Sequence, residues 1–350
     1  MSLPNSIAGT AEQILWEKVE EYLRIHIDEL SNHPMQVKKF SEGYSNLTYL
    51  VRIGDWEAVL RRPPFGPVAP KAHDMEREYR ILKKLHPVFP LAPKPYVFCE
   101  DPSIMDKHFY VMEKKNGVVL DDQLPPEYEA NEQTCRIVSE TVVNTLVQLH
   151  AIDCEAADLL DLGHPDGYLE RQVHGWIKRY HQTKTDEIRV VGEIEKWLLE
   201  NIPVSPSATI VHNDLKLNNM MLSPDDPSKA VAVFDWELCT IGDPLTDLGS
   251  SLVHWAEKGD PETGLTSITT NQGFISRREF LEQYATKSQR DVSQIDYYLT
   301  FAFYKLAAIL QQIYYRWKQG QAKDERFSKL NEGINNLMQM AFQAKNKQLL

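Results

Sequence analysis

From Thr209 to Asp247 the chain sets a fixed series of polar residues between short apolar runs, and few folds accommodate such a series. Ala208–Val211 is an apolar run, a candidate strand feeding a loop that carries His212, Asp214 and Asn219. Met220–Leu222 and Ala230–Phe234 read as two further strands, joined by Ser223–Lys229, a connection full of turn formers. Paired as a hairpin, they set the residue before the first strand, Asn219, opposite the residue after the second, Asp235. Two hard oxygen ligands then stand side by side, with Asp214 a little upstream. Mg2+ favours such a place, taking one or two protein oxygens and completing its shell with water and substrate phosphates. The same loop can hold the Asp214 carboxylate where an attacking hydroxyl arrives in phosphoryl transfer. A lone His-x-Asp carries little information; His-x-Asp followed by this Asn, a hairpin and an Asp before an aromatic carries much more. A hydrolytic metal site built on His212 and Asp214 is the rival chemistry, but it needs more His or carboxylates clustered beside them, and the loop up to Asn219 offers none.

At these residues the chain resembles the aminoglycoside phosphotransferase family, small-molecule relatives of the protein kinases, and within it the branch fused to acyl-CoA dehydrogenases. Asn213 stands where the family loop usually has Gly. The resemblance implies Asp214 as catalytic base and Asn219 and Asp235 as Mg2+ ligands, with His212 supporting the loop. It extends to Gly242-Asp243-Pro244 and Asp247, where the residues themselves read as a helix start, Asp243 at the cap and Pro244 in the first turn. Asp243 and Asp247 are therefore expected to be structural.

Upstream, Thr10 and Gln13 read as a capping box opening an amphipathic helix through Leu15, Val19, Tyr22 and Leu23. Leu47–Ile53 and Trp56–Arg61 alternate as strands around Gly54-Asp55, a hairpin turn. The preceding Gly43-Tyr-Ser-Asn46 is similar to the phosphate loop of the fused branch, which implies Gly43, Ser45 and Asn46 as phosphate contacts. Ala58-Val-Leu-Arg61 has the pattern of the kinase lysine strand, and alternation puts Val59 and Arg61 on one face, Val59 for adenine and Arg61 for phosphates. Arg62 then points the other way. Ala72–His86 reads as a helix whose apolar stripe of Met75, Tyr79, Leu82 and Leu85 contains Glu78. A carboxylate inside such a stripe needs a partner, and Arg61 is the one expected. Phe109–Met112 reads as a strand leading into a hinge, 113–117, where the backbone around Met112 and Glu113 would meet the adenine edge.

These readings predict a two-lobed, protein-kinase-like α+β fold, with a small β-rich N-lobe over 1–112 and a large helical C-lobe over 113–350. The C-lobe would hold a helical insertion at 155–208, the catalytic hairpin at 209–247 and C-terminal helices, including an aromatic one over Tyr297–Trp317. The expected activity moves the γ-phosphoryl of ATP, or GTP, with Mg2+, to a hydroxyl of a small molecule. No apolar run reaches the length of a membrane span, and Cys99, Cys135, Cys154 and Cys239 show no paired spacing, which fits a reducing cytoplasm. The formal net charge of −12 argues against nucleic acid as a partner. Residues 257–350 hold 13 bases and 10 acids, so the rest of the chain carries −15. That balance, with Lys305, Arg316, Arg277 and Arg278 in the C-terminal part, predicts a neutral or anionic acceptor, such as a hydroxyacyl thioester, over a polycationic aminoglycoside. The rivals are a protein kinase, which lacks its Asp-Phe-Gly and Ala-Pro-Glu signatures here, and a nucleotide-binding scaffold without catalysis.

Overall fold

The computed structural model describes residues 14–28, 30–40, 46–66, 73–265, 267–322 and 324–350. They form two units: one of the described residues up to His86 together with Pro93–Lys115, the other of Pro87–Ala92 and Asn116–Leu350.

The first unit has two helices, α1 (Trp16–His26) and α2 (Met75–Leu85), and a five-stranded sheet. Its strands β1 (Gln36–Lys39), β2 (Leu47–Ile53), β3 (Trp56–Arg62), β4 (Pro95–Cys99) and β5 (Phe109–Glu113) lie in the order β1-β2-β3-β5-β4, every pair antiparallel. Ile53 pairs with Trp56 across a two-residue turn, where Gly54 takes φ +61°, a conformation that costs glycine nothing. One face of β2 and β3, Tyr49, Val51, Ala58 and Leu60, packs with Val19 and Leu23 of α1 in a core. Alternation sends Val59 and Arg61 to the other face. The helix expected from Ala72 starts at Met75, because the Asp74 carboxylate accepts from Arg77 N at 2.9 Å and caps it. Thr10, Gln13, Gly43, Ser45 and Ala72 lie outside the described residues.

The second unit is mainly helical. In chain order it contains β6 (Val118–Val119), α3 (Glu132–His150), α4 (Tyr168–Thr183), α5 (Val191–Glu200), β7 (Thr209–Val211), β8 (Met220–Ser223), β9 (Asp226–Val233), β10 (Thr240–Gly242), α6 (Pro244–Val253), α7 (Arg277–Ser288), α8 (Ile295–Lys318) and α9 (Leu330–Lys345). The long α8 packs against α4, α6 and α9, and its Phe301, Tyr304 and Ala308 are buried. Between α6 and α7 the described residues are irregular apart from a single-turn helix at Ile268–Thr270.

β6, β8 and β9 form one sheet, and β7 pairs with β10 in another. The connection read as seven loop residues is mostly strand. Ser223 pairs with Asp226, leaving two residues in the turn, and irregularities at Met221/Leu222 and Leu222/Ser223 absorb the excess length. Pro227 is tolerated because β9 is an edge strand. Among the described residues no helix is long and apolar enough to cross a membrane.

Candidate active site

The loop after β7 is held from behind by one carboxylate. Asp247, in the first turn of α6 and with no exposed surface, accepts from His212 N at 2.7 Å through Oδ2 and from Asn213 N at 2.8 Å through Oδ1. His150 Nε2 lies 3.3 Å from Oδ2, and the other nitrogen of that ring meets the Tyr284 hydroxyl at 2.7 Å. Burial pushes the Asp247 carboxyl upward, but the His150 hydrogen bond and charge and the His212 N–H outweigh it, so its pKa falls below the ordinary 3.8. Asp243 caps α6 by accepting from Leu245 N at 2.9 Å, and it also takes the Tyr298 hydroxyl at 2.7 Å; burial pushes its pKa up.

Asn213 has φ +69°, in the left-handed region that Gly visits freely and Asn tolerates best among the rest. Its side chain is fixed on both sides: Tyr168 donates to Oδ1 at 2.9 Å, and Nδ2 donates to Leu238 O at 3.0 Å. Burial pushes the Tyr168 phenol up to about 12, so it remains a donor. A Cβ on Gly242 would meet the Tyr168 ring at 2.8 Å, so Gly in the Gly-Asp-Pro run makes room for the tyrosine that steadies Asn213.

His212 is fully buried, and both ring nitrogens are in use. Asp214 N donates to Nδ1 at 3.2 Å, so Nε2 carries the proton and donates to Phe234 O at 2.7 Å. The ring also lies 4.6 Å from that of Trp236. With neither nitrogen open, His212 is unsuited to a metal, and the hydrolytic alternative loses its first ligand.

Asp214 is thereby turned toward a group of polar side chains. Asn219 Nδ2 donates to Asp214 Oδ2 and to Asp214 O, both at 2.8 Å. Lys216 Nζ lies 3.0 Å from Oδ2 and His254 Nε2 3.7 Å from Oδ1. Burial, then the Lys216 charge, lower the His254 pKa to about 4, so the ring is neutral at pH 7. The Asn219 amide nitrogen is spoken for, whereas its Oδ1 takes no hydrogen bond among the described residues and suits a hard cation. The expected register is one residue out of step: Met220 pairs with Val233, and Phe234 N donates to Asn219 O at 2.8 Å. Asp235 therefore follows the position opposite Asn219 and leaves the strand at φ +65°.

In the first unit Arg61 Nη1 lies 3.1 Å from Glu78 Oε1, and Glu78 is only 1% exposed. Arg62 goes to the opposite face, where it pairs with Asp106 at 2.9 Å. Asn46 Oδ1 and His73 Nδ1 are 2.7 Å apart; burial lowers the His73 pKa, leaving a neutral ring that donates. Asn46 Nδ2 is buried and takes no partner among the described residues, a donor held in reserve. Val59 pairs with Met112, and Glu113, the expected first hinge residue, is instead the last of β5, its carboxylate meeting Lys115 at 2.9 Å.

Three residues beside Asp214 are not among the expected site residues, although Lys305 is one of the cations on which the acceptor expectation rests. Lys216 was open to view two positions downstream. His254 and Lys305 come from α6's end and from α8, and nothing local marks them; Lys305 Nζ donates to Asn213 O at 3.4 Å. The other cations of the C-terminal part go elsewhere. Arg277, on α7, is buried and pairs with Asp260 and Glu257, and Arg278 and Arg316 are exposed.

The phosphotransferase enzyme family model, APH, matches residues 36–283. The chain is 32% identical to acyl-CoA dehydrogenase family member 10 of Mus musculus over 329 residues, which is 92% of the chain and 30% of that relative. It is 33% identical to mouse acyl-CoA dehydrogenase family member 11 over 316 residues, 88% of the chain and 40% of the relative. The chain thus spans well under half the length of these curated relatives. Among solved structures, a candidate aminoglycoside phosphotransferase of Ralstonia eutropha JMP134 superposes with a TM-score of 0.82 at 28% identity, over 96% of this chain and 99% of that one. With the match running from β1 into α7, and so through the whole Asp214 loop and hairpin, the chain belongs to the phosphotransferase enzyme family.

Proposed function

We propose that this protein transfers the γ-phosphoryl group of ATP to a hydroxyl of a small molecule. The observation that carries the reading is the Asp214 carboxylate, held by Asn219 Nδ2 at 2.8 Å on a loop locked by His212 and Asp247. Asp214 orients the acceptor hydroxyl and takes its proton. Asn219 Oδ1 and the Asp235 carboxylate are the oxygens that would hold Mg2+, which neutralises phosphate charge when bound. In the first unit, Arg61 set by Glu78 forks onto phosphate oxygens, and Asn46 Nδ2 donates to them. Val59 and the backbone at Met112 and Glu113 serve adenine, with Gly43 and Ser45 assigned to the phosphates from the sequence alone. His212, Asp243 and Asp247 support the loop. Most of the rate then comes from positioning and electrostatics.

For the acceptor we favour a hydroxyacyl thioester. Two long relatives carry acyl-CoA dehydrogenase names, and the side chains around Asp214 include Lys216 and Lys305. Polycationic aminoglycosides suit such surroundings poorly, and kanamycin should be turned over slowly or not at all. The test is transfer of labelled γ-phosphate to 3-hydroxybutyryl-CoA, amino alcohols and kanamycin. Asp214→Asn should lower kcat by roughly 10²–10⁴-fold, the usual contribution of a general base, while ATP·Mg2+ binding by calorimetry stays near wild type. Near-wild-type turnover by the variant rejects the assignment.

A further inference from the structure

Beside the catalytic loop, two helices bring together a tryptophan and two cations that the phosphoryl-transfer chemistry does not use. Lys305, on α8, donates to Asn213 O at 3.4 Å, the carbonyl of the peptide that leads into Asp214. Its ammonium lies 5.8 Å from the centre of the Trp176 ring on α4. Arg179, one turn on along α4, stacks its guanidinium over the same ring at 4.6 Å. The Trp176 indole nitrogen is buried and takes no hydrogen bond among the described residues. A lysine ammonium offers three N–H donors, and Lys305 uses one of them here on a long contact.

A cation in this place is costly. Burial lowers the Lys305 pKa against the opposing pull of Asp247 and Asp214. A structural role would be served as well by an apolar residue packed against Trp176, since burying an ion gains little for stability over a hydrophobe. The placement instead matches a ligand oxygen arriving next to Asp214.

We propose that Lys305, with Trp176 and Arg179, forms an acceptor subsite that selects for an acyl or carboxyl oxygen a few bonds from the hydroxyl being phosphorylated. Lys305 donates to that oxygen, Trp176 covers the adjoining chain, and Arg179 adds positive potential at the exposed rim. Cationic acceptors are rejected by the same two charges. This rests on the reading of Asp214 as the residue that meets the acceptor hydroxyl.

Three probes share one hydroxyl and differ in the second oxygen: 3-hydroxybutyryl-CoA has a thioester carbonyl, 3-hydroxybutyrate a carboxylate, and 1,3-butanediol neither. Wild-type protein is expected to show a KM at least about ten-fold lower for one of the acyl probes than for the diol, the usual size of a hydrogen bond from a charged donor. Which acyl probe is preferred tells thioester from free acid. Lys305→Gln should erase that preference by raising KM for the acyl probe, with the ATP KM and the melting temperature unmoved. Arg179→Ala, at the rim, should raise it less. Lys305→Gln with the preference intact overturns the subsite. Calorimetric binding of 3-hydroxybutyryl-CoA is read in parallel and needs no transfer. Binding that depends on Lys305 without any transfer would reject the phosphotransfer reading and leave the subsite standing. Wild-type protein that neither binds nor prefers an acyl probe overturns the subsite, whatever Asp214→Asn shows.

Discussion

Asp247→Asn separates the support of the loop from the chemistry carried on it. Asp247 accepts three hydrogen bonds while fully buried, from His212 N, Asn213 N and His150 Nε2. An asparagine has one acceptor oxygen, so its amide nitrogen must face at least one of these donors. Losing a hydrogen bond to a charged acceptor costs about 1.5–3 kcal/mol, and the donor left unsatisfied adds about 1–3 kcal/mol. If the amide turns its nitrogen toward Asn213 N, the left-handed φ of Asn213 loses a clamp, and such backbone holds about 1–3 kcal/mol of strain. These terms overlap, and a loss of about 3–4 kcal/mol is expected. For a domain of a few hundred residues each kcal/mol shifts Tm by about 2–4 °C, so the variant should melt roughly 6–16 °C lower at pH 7. The dependence on pH gives a second readout. Because the folded-state pKa of Asp247 lies below its ordinary 3.8, its charge stabilises the fold fully above that value, and the benefit is lost as pH falls through the folded pKa. The gap in Tm between wild type and variant should therefore be widest above about pH 5 and narrow toward pH 3. Differential scanning calorimetry across this range decides the matter. A variant melting within 2 °C of wild type at pH 7, or a gap that does not change with pH, refutes the account of Asp247 as an ionised clamp.

Asp235→Ala should weaken Mg2+-dependent ATP binding and leave Mg2+-free binding unchanged; titration of ATP with and without the metal tests this, and an unaltered metal dependence would assign the ligand elsewhere. Arg61→Ala and Glu78→Ala should each raise the ATP KM or lower kcat, and the double variant should lose far less than the sum, since the two groups meet at 3.1 Å and act as one. Strictly additive losses would show that Glu78 positions something else. Gly242→Ala should lower kcat and Tm together by driving a Cβ into the Tyr168 ring that steadies Asn213, whereas Tyr168→Phe should lower kcat with a smaller effect on Tm. A Gly242→Ala protein with wild-type kcat would show that Asn213 needs no such support.

The parts of this fold that local sequence determines were legible. Leu47–Ile53 and Trp56–Arg61 could be read as a hairpin because a period of two and a Gly at the turn leave one register. Glu78 could be matched to Arg61 because a carboxylate in an apolar stripe needs a partner, and strand alternation sends Arg61 and Arg62 to opposite faces. The hairpin after Asn219 was harder. Its turn formers lie inside a bulged edge strand, so composition pointed to a loop where the backbone pairs, and the register moved by one residue.

What stayed out of reach is whatever depends on elements distant in sequence. His254 and Lys305 join Asp214 from the end of one helix and the middle of another, and a single polar residue on a buried helix has no pattern of its own. Counting charge by region was a blunt instrument for the same reason. It grouped Arg277 with Lys305, although Arg277 is locked onto Asp260 and Glu257 and only Lys305 approaches the loop. The partner, which no regional count registers, separates the two: Arg277 meets carboxylates that hold the fold together, whereas Lys305 meets the backbone carbonyl of Asn213. The left-handed Asn213 links the two levels. Asn213 is a modest departure from the family's Gly, yet the side chain that Gly lacks is gripped by Tyr168 and Leu238, while its carbonyl accepts from Lys305. Substituting Gly at 213 would keep the backbone conformation and remove the grip of Tyr168 and Leu238 on the loop that carries Asp214.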